Sequence, residues 1–368
     1  MNNSDDLSRL IDQQNRLLDR QNKLLQQLVE QKNSVPDNAL LDGEKIFVED
    51  LWRDEVRNGF FVTSRRKRLW NIQLNLIAEL DRICKRYDIR YFAFGGTLLG
   101  AARHKGFVPW DDDVDISMLR PDYEKFKQVI AKEIREPYFV DAWHDYQIEG
   151  EEKISAPSLQ IVKQNQRQQH PKWWPFWPMI KIKDSRTAFI RYPDRPHVHQ
   201  GIWIDIFPFD PVPPFADNKH AINFEIAKEM LHAIALPGSI RKTLQENLPL
   251  LIKREVMEKF LKYSHRQKAH VFDSFALKSF SPSPFVGQLR GHTLVKKKRS
   301  YALKNFAKTV YLPFEKIKIP APIGYEDCLT AQYGDWHKIK IYDAHATDYS
   351  ADLSYKDYFR EVGIRDKG

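Results

Sequence analysis

The sequence predicts an α+β fold: a mixed sheet with flanking helices, an additional helical region, and a coiled-coil helix at the N-terminus. Three observations lead there. Between Tyr91 and Met118 an apolar run, a glycine pair and a short small-residue segment lead into four aspartates and an alternating strand, YFAFGGTLLGAARHKGFVPWDDDVDISM. Ahead of it, from Arg66 to Tyr87, Leu69, Ile72, Leu76, Leu80, Ile83 and Tyr87 recur at three- and four-residue spacing, as in a helix that lays one face on a sheet. Downstream, Gly201 to Pro208 reads GIWIDIFP, an apolar run of strand length.

In chain order, residues 1–33 are rich in Gln, Asn, Leu and Asp, with leucine-type residues every seven positions at Leu10, Leu17 and Leu24 and at Ile11, Leu18 and Leu25. Leu7 and Leu28 extend the stripe, while Gln14 and Gln21 interrupt its second row. A helix this polar is marginal alone in water, so the repeat predicts a short coiled coil and a homo-oligomer through residues 1–33. The competing reading is a single amphipathic helix on the protein surface. Asn33, Ser34, Pro36 and Asp37 form a breaker, and residues 34–65 read as a linker or lead-in. A catalytic core is expected over 66–215, and a helical and C-terminal portion completing it over 216–368.

Within the core, Tyr91–Phe94 reads as a strand and Thr97–Arg103 as a short helix. Pro121 to Ile130 reads as a helix with proline in its first turn, followed by strands at Tyr138–Ala142 and Ser158–Val162. Residues 172–178, KWWPFWP, cannot form a regular strand, because proline removes ladder donors. They either pack as a rigid loop or present an amphipathic patch to a membrane interface or a sugar ring. Met179–Ile190 reads as strand, turn at Asp184-Ser185, and strand. From Asn218 to about Phe280 the chain is helical and basic, with Ile222, Ile226, Met230 and Ile234 at regular fours and a further run from Leu250 to Leu261. Phe314 to Trp336 reads as a strand, a turn at Pro320-Ala321-Pro322, and a helix through Leu329.

With 368 residues the chain has room for one large domain or two ordinary ones. Its net charge of +9 favours anionic partners, such as nucleotides or a phospholipid surface. Lys296-Lys297-Lys298-Arg299 is either a solvated face or a contact for anionic lipid. The two cysteines, Cys84 and Cys328, lack metal spacing and point to a reducing, cytoplasmic setting. No window approaches ~18 consecutive apolar residues and the N-terminus does not read as a signal peptide, so membrane contact, at the inner face of the cytoplasmic membrane, would be peripheral.

The chemistry concentrates in Asp111, Asp112, Asp113 and Asp115. In a strand with period two, Asp113 and Asp115 share one face while Val114 and Ile116 pack inward. Two carboxylates so close raise each other's pKa unless a hard divalent cation, Mg²⁺ or Mn²⁺, lies between them. The plain alternative is a solvated acidic turn. Asp205 is alone among apolar neighbours in its strand, where an unpaired carboxylate costs several kcal/mol, so it meets either a cation or a basic partner, or is neutral.

Strand, glycine pair, short helix and DxD strand together resemble the nucleotidyltransferase fold. The wording GGTLLGAARHKGFVPWDDDVD resembles the LicD family of phosphotransferases, which includes bacterial phosphorylcholine transferases and is similar to fukutin-related protein. GIWIDIFPFD and the closing Tyr333-Gly334-Asp335-Trp336 resemble later blocks of that family, so the resemblance runs from about Leu69 to Trp336. After Trp336 the family's apolar residue and proline are replaced by His337-Lys338-Ile339.

The resemblance implies metal-dependent transfer of a phospho-alcohol (phosphocholine, glycerol phosphate or ribitol phosphate) from a CDP-activated donor to a sugar hydroxyl. The acceptor would be a surface glycan or a lipid-linked sugar, and nucleic acid is not expected as a partner. Asp113, Asp115 and Asp205 would hold the metal; Gly95, Gly96 and Thr97 would bind the diphosphate; Arg103, His104 and Lys105 would offset its remaining charge, His104 being alternatively a neutral hydrogen-bond donor or only a loop residue. Asp111 or Asp112 would take the acceptor proton, and the spacing does not choose between them. Two alternatives stay open: nucleotidyl transfer from a nucleoside triphosphate, and a non-catalytic oligomeric scaffold of a glycan-synthesis complex.

Overall fold

The computed structural model describes residues 40–142, 178–193, 196, 198–212, 223, 226–227, 230–231, 254–280, 282–289, 300–341 and 348–361. The heptad segment, the 158–162 strand, the Trp-rich loop up to Trp177, most of the 218–253 helical stretch and Lys296–Arg299 lie outside the described residues.

The organising element is the helix α1 (Ser64–Arg86), which follows a small ribbon of β1 (Glu55–Arg57) and β2 (Phe60–Val62). Its first turn is capped by Thr63, whose side chain accepts from the Arg66 N–H at 3.1 Å, and Lys85 and Arg86 sit in the last turn, where cations suit the helix dipole. The apolar stripe read from the sequence is buried from Leu69 to Ile83, with Tyr87 half-buried at the C-cap, and Asn71, Gln73 and Asn75 between the stripes are buried too. These polar side chains hold neighbouring backbone: Asn71 accepts from Phe47 N–H at 2.7 Å and Asn75 from Lys45 N–H at 2.9 Å. A buried amide is tolerable when it is bonded, so α1 can be covered on more than one side.

Beneath α1 lies a seven-stranded mixed sheet. Its strands are β3 (Phe92–Ala93), β4 (Asp115–Leu119), β5 (Tyr138–Ala142), β6 (Ile180–Asp184), β8 (Trp203–Val212), β9 (Phe285–Gly287) and β10 (Ser300–Ala302). The short β7 (Ala188–Ile190) lies apart from this sheet, paired near the C-terminus with β13 (Asp348–Ser350). The long strand β8 is shared: its first half pairs parallel with β4 and antiparallel with β6, and its last residues pair with β9. Val114, Ile116, Ile204 and Ile206 are fully buried in the largest apolar cluster, as the alternation predicts. The helix α2 (Gly95–Leu99) continues as a π turn over Gly100–His104, between β3 and β4. α3 (Arg120–Glu133) follows β4 with Pro121 in its first turn.

A second, smaller core gathers Val212, Phe260, Phe272 and Leu289 under α4 (Arg254–Leu261) and α5 (His265–Phe280). Arg120, 2% exposed, ties the two cores together. Its guanidinium grips Asp210 on β8 through Nε at 2.6 Å and Nη2 at 2.8 Å, and reaches Asp273 on α5 at 3.3 Å.

One element differs from the sequence reading. Pro320-Ala321-Pro322 is not a turn: it lies in β12 (Ile317–Pro322), which forms an antiparallel hairpin with β11 (Thr309–Phe314). In a two-stranded ribbon each strand has an outer edge, where a missing proline N–H costs no ladder bond. The chain reverses instead at Glu315, with φ 50°, and tertiary bonds hold the turn: Glu315 N–H donates to the Lys105 carbonyl at 2.8 Å, and Lys316 N–H to the Phe47 carbonyl at 2.9 Å. Helix α6 (Tyr325–Tyr333) follows, and after Trp336 the chain closes with β13 on β7 and the helix α7 (Tyr355–Glu361).

Candidate active site

The glycine pair at the start of α2 makes room for carboxylates. Gly95 has φ 57°, and a Cβ there would stand 2.6 Å from Asp115 Oδ2; a Cβ on Gly96 would collide with Asp111 Oδ2. Only glycine lets the α2 backbone and the acidic strand approach this closely. The two segments are also bonded: Phe94 N–H donates to the Asp115 carbonyl at 3.0 Å, and Asp115 N–H to Thr97 Oγ1 at 2.9 Å.

Asp111, Asp113 and Asp115 are half-buried, alternating with Asp112, Val114 and Ile116, which are buried. Regular strand pairing begins only at Asp115, so α1 holds the preceding backbone: Arg66 Nη1 and Trp70 Nε1 both donate to the Asp111 carbonyl, at 2.9 and 3.0 Å, and Gln73 Nε2 donates to that of Asp112 at 2.8 Å. One carboxylate oxygen from each of Asp111, Asp112 and Asp113 lies within 4.8 Å of the others. Burial, then the charges of Asp113 and Asp115, push the Asp111 carboxyl well above the ordinary carboxylate range. A crowded set of hard oxygen donors of like charge fits a hard divalent cation.

Asp205 enters from β8. In the parallel register it stands opposite Asp115, one strand spacing (~4.8 Å) away, and its N–H donates to the Val114 carbonyl at 2.9 Å. It is not an isolated buried charge. Lys181, opposite it on β6, forms an ion pair with its carboxylate and lies 4.8 Å from the Trp203 ring centroid. Burial lowers the Lys181 pKa, opposed by the Asp205 charge. The structure thus assembles Asp111, Asp112, Asp113 and Asp115 around the α2 start, sets Asp205 beside Asp115, and gives Asp205 the basic partner that the sequence left open.

Arg103, His104 and Lys105 follow on the π turn and the residue after it. Arg103 Nη1 donates to the carbonyls of Trp336 and Lys338, at 2.8 and 3.0 Å, and Arg103 Nε donates to His104 Nε2 at 2.9 Å. That makes His104 Nε2 an acceptor, so Nδ1 carries the proton and donates to Asn58 Oδ1 at 2.9 Å. Burial, with Arg103 and Arg57 nearby, lowers the His104 pKa to about 4, so the ring is neutral at neutral pH.

Tyr333, at the end of α6, stands in the closing block that the sequence reading quotes, but is given no site role there. It is 41% exposed, and burial together with the charges of Asp115, Asp111 and Asp113 raises its phenol pKa. Its place in the closing YGDW block was the available signal, but nothing local says that α6 returns to α2. Lys181 and Arg66 were missed for the same reason, each being an ordinary basic residue in its own element.

The central mixed sheet thus carries a carboxylate group at the start of a glycine-led helix. Residues 88–194 match the family model described as LicD/FKTN/FKRP, nucleotidyltransferase domain. The matched residues include the glycine pair and all four clustered aspartates; Asp205 lies beyond them. The chain is 26% identical over 281 residues to the lipopolysaccharide cholinephosphotransferase LicD of Haemophilus influenzae, covering 76% of this chain and 92% of that protein. It is also 32% identical over 103 residues to the ribitol 5-phosphate transferase FKRP of Homo sapiens, covering 27% of this chain and 19% of that one. An uncharacterised Rickettsia typhi protein is 36% identical over 69 residues, 19% of this chain and 22% of its own length.

Proposed function

We propose that the chain is a metal-dependent phosphotransferase that moves a phospho-alcohol from a CDP-activated donor to a sugar hydroxyl of a surface glycan or lipid-linked sugar. The observation that carries this reading is the half-buried Asp111, Asp113 and Asp115 face, packed against Gly95 and Gly96 with Asp205 in register beside it. The similarity to a cholinephosphotransferase over most of both chains supports transfer of a phospho-alcohol.

In the reaction, the acceptor oxygen bonds to the phosphorus that bears the alcohol, the bond from that phosphorus to CMP breaks, and CMP leaves as an anion. A bound Mg²⁺ or Mn²⁺ would neutralise charge on the phosphoryl oxygens. Asp113 and Asp115, with Asp205, would hold it, and Asp112 has a ligand oxygen within 4.8 Å of one from Asp113 and one from Asp111. Gly95, Gly96 and Thr97 line the approach of the diphosphate. Asp111 takes the acceptor proton: burial, then the charges of Asp113 and Asp115, raises the proton affinity of its carboxyl, which suits a base. Lys181 keeps Asp205 oriented when no cation is present.

The test is product mass spectrometry after incubation with Mg²⁺, CDP-choline, CDP-glycerol or CDP-ribitol, and candidate glycan acceptors. One acceptor should gain the mass of one phospho-alcohol. No product from any pair, with thermal stabilisation by CDP and Mg²⁺ retained, would point to a nucleotide-binding scaffold; acceptor gaining a nucleotide mass from a nucleoside triphosphate would point to nucleotidyl transfer.

A further inference from the structure

A cavity of about 390 Å³ is lined by Arg57, Asn58, His104, Lys105, Pro109 and Glu315, with Glu49 and Phe107 at its margin, and by none of the clustered aspartates. The size falls in the usual range of small-molecule sites. Its rim at Pro109 is two residues from Asp111, at most ~7 Å along the chain. Its position suggests a substrate subsite, and its chemistry says which substrate.

An anion site needs positive charge that is not already neutralised. Here the Arg57 guanidinium is gripped by Glu315 at 2.6 and 3.2 Å, and also contacts Glu55. Both His104 ring nitrogens are engaged, one accepting from Arg103 and the other donating to Asn58, and the ring is neutral. Glu49 on the rim pairs with Lys316 at 3.3 Å. What remains is the exposed Lys105 ammonium, the mutually paired Arg57 and Glu315, the exposed Glu49 and the neutral Asn58 and His104, with the edges of buried Phe107 and Pro109 beside them. That lining matches a polyhydroxyl ligand, whose hydroxyls both donate and accept and whose ring carbons prefer an apolar wall.

We propose that this cavity is the acceptor-sugar subsite, binding a neutral hexose unit so that one hydroxyl reaches Asp111, while the donor diphosphate binds on the α2 side of the carboxylates. The inference rests on the phosphotransfer reading, and it moves His104 and Lys105 from the donor to the acceptor.

Asn58 and Lys105 both have left-handed backbone, with φ of 50° and 57°, so glycine removes either side chain without straining the turn. The test uses the full chain and the variants Asn58→Gly and Lys105→Gly. Saturation-transfer NMR with methyl galactoside, methyl glucoside and methyl N-acetylglucosaminide, in the presence of CDP and Mg²⁺, reads sugar binding; calorimetry reads CDP affinity. The wild type should show saturation transfer to at least one glycoside, both variants should lose it, and CDP affinity should stay within about twofold, the expected scatter for an untouched site. Wild type without any sugar signal, variants that retain it, or a CDP affinity that falls about tenfold in the variants would each overturn the proposal. A wild type that binds a glycoside but makes no product from any CDP-alcohol would instead overturn the phosphotransfer reading and leave the sugar site standing.

Discussion

At the residue scale the carboxylates make opposing demands. Asp111 is held among like charges, and its raised pKa means that the fold favours its protonated form: its own contribution to metal-free stability is present below 3.8, its ordinary value, and is lost as pH rises above that. Asp111→Asn should therefore raise the metal-free melting temperature at neutral pH while abolishing transfer, and a calorimetric scan with and without Mg²⁺ checks both the sign and the smaller gain from metal. Asp205 behaves differently because of Lys181. Asp205→Ala strands a buried ammonium and should cost about 3–5 kcal/mol, read by urea unfolding without metal. Lys181→Met in the same background should recover most of that loss and none of the activity. Recovery of both would leave Asp205 a structural residue only. The sequence showed Asp205 to be out of place in an apolar strand, but it could not show the partner, because Lys181 lies 24 residues away and looks like any half-exposed strand lysine.

Elements with strong internal periodicity were legible; those defined by contacts were not. The helix over 66–87, the strands at 138–142 and on either side of Asp184, and the run from 201 all follow from local pattern, and the structure has them within a few residues. The hairpin over 309–322 was misread because prolines signal turns locally, whereas the true reversal at Glu315 is fixed by bonds to Lys105 and Phe47. In the same way, the aspartates' crowding was visible in the sequence, but the hold of Arg66, Trp70 and Gln73 on their backbone was not. Arg120 is the element-scale test. It joins α3, β8 and α5 through Asp210 and Asp273, so Arg120→Ala should destabilise the protein by about 3–5 kcal/mol by stripping buried Asp210 of its ion pair and leaving Asp273 with Lys127 alone. Arg120→Ala with unchanged urea stability would show that the two cores are joined by apolar packing alone.

At the scale of the whole molecule, no helix among the described residues is long and apolar enough to cross a membrane, and the site is built from β4, β8 and α2 in the central sheet. The heptad segment lies outside the described residues, so we propose its role from the sequence: deleting residues 1–33 should reduce the mass in sedimentation to that of a monomer while sparing transfer to a soluble acceptor. An unchanged mass would remove the coiled coil from the account. The central claim is that the carboxylate face works with a divalent cation to transfer a phospho-alcohol. The most direct measurement is the acceptor-dependent rate of CMP release from CDP-choline, CDP-glycerol and CDP-ribitol across a Mg²⁺ titration, for wild type and for Asp113→Asn and Asp115→Asn. The account predicts release from one donor in the wild type, none with EDTA, and none above background in either folded variant. A wild-type rate in either variant at low Mg²⁺, or release that persists in EDTA, would contradict it.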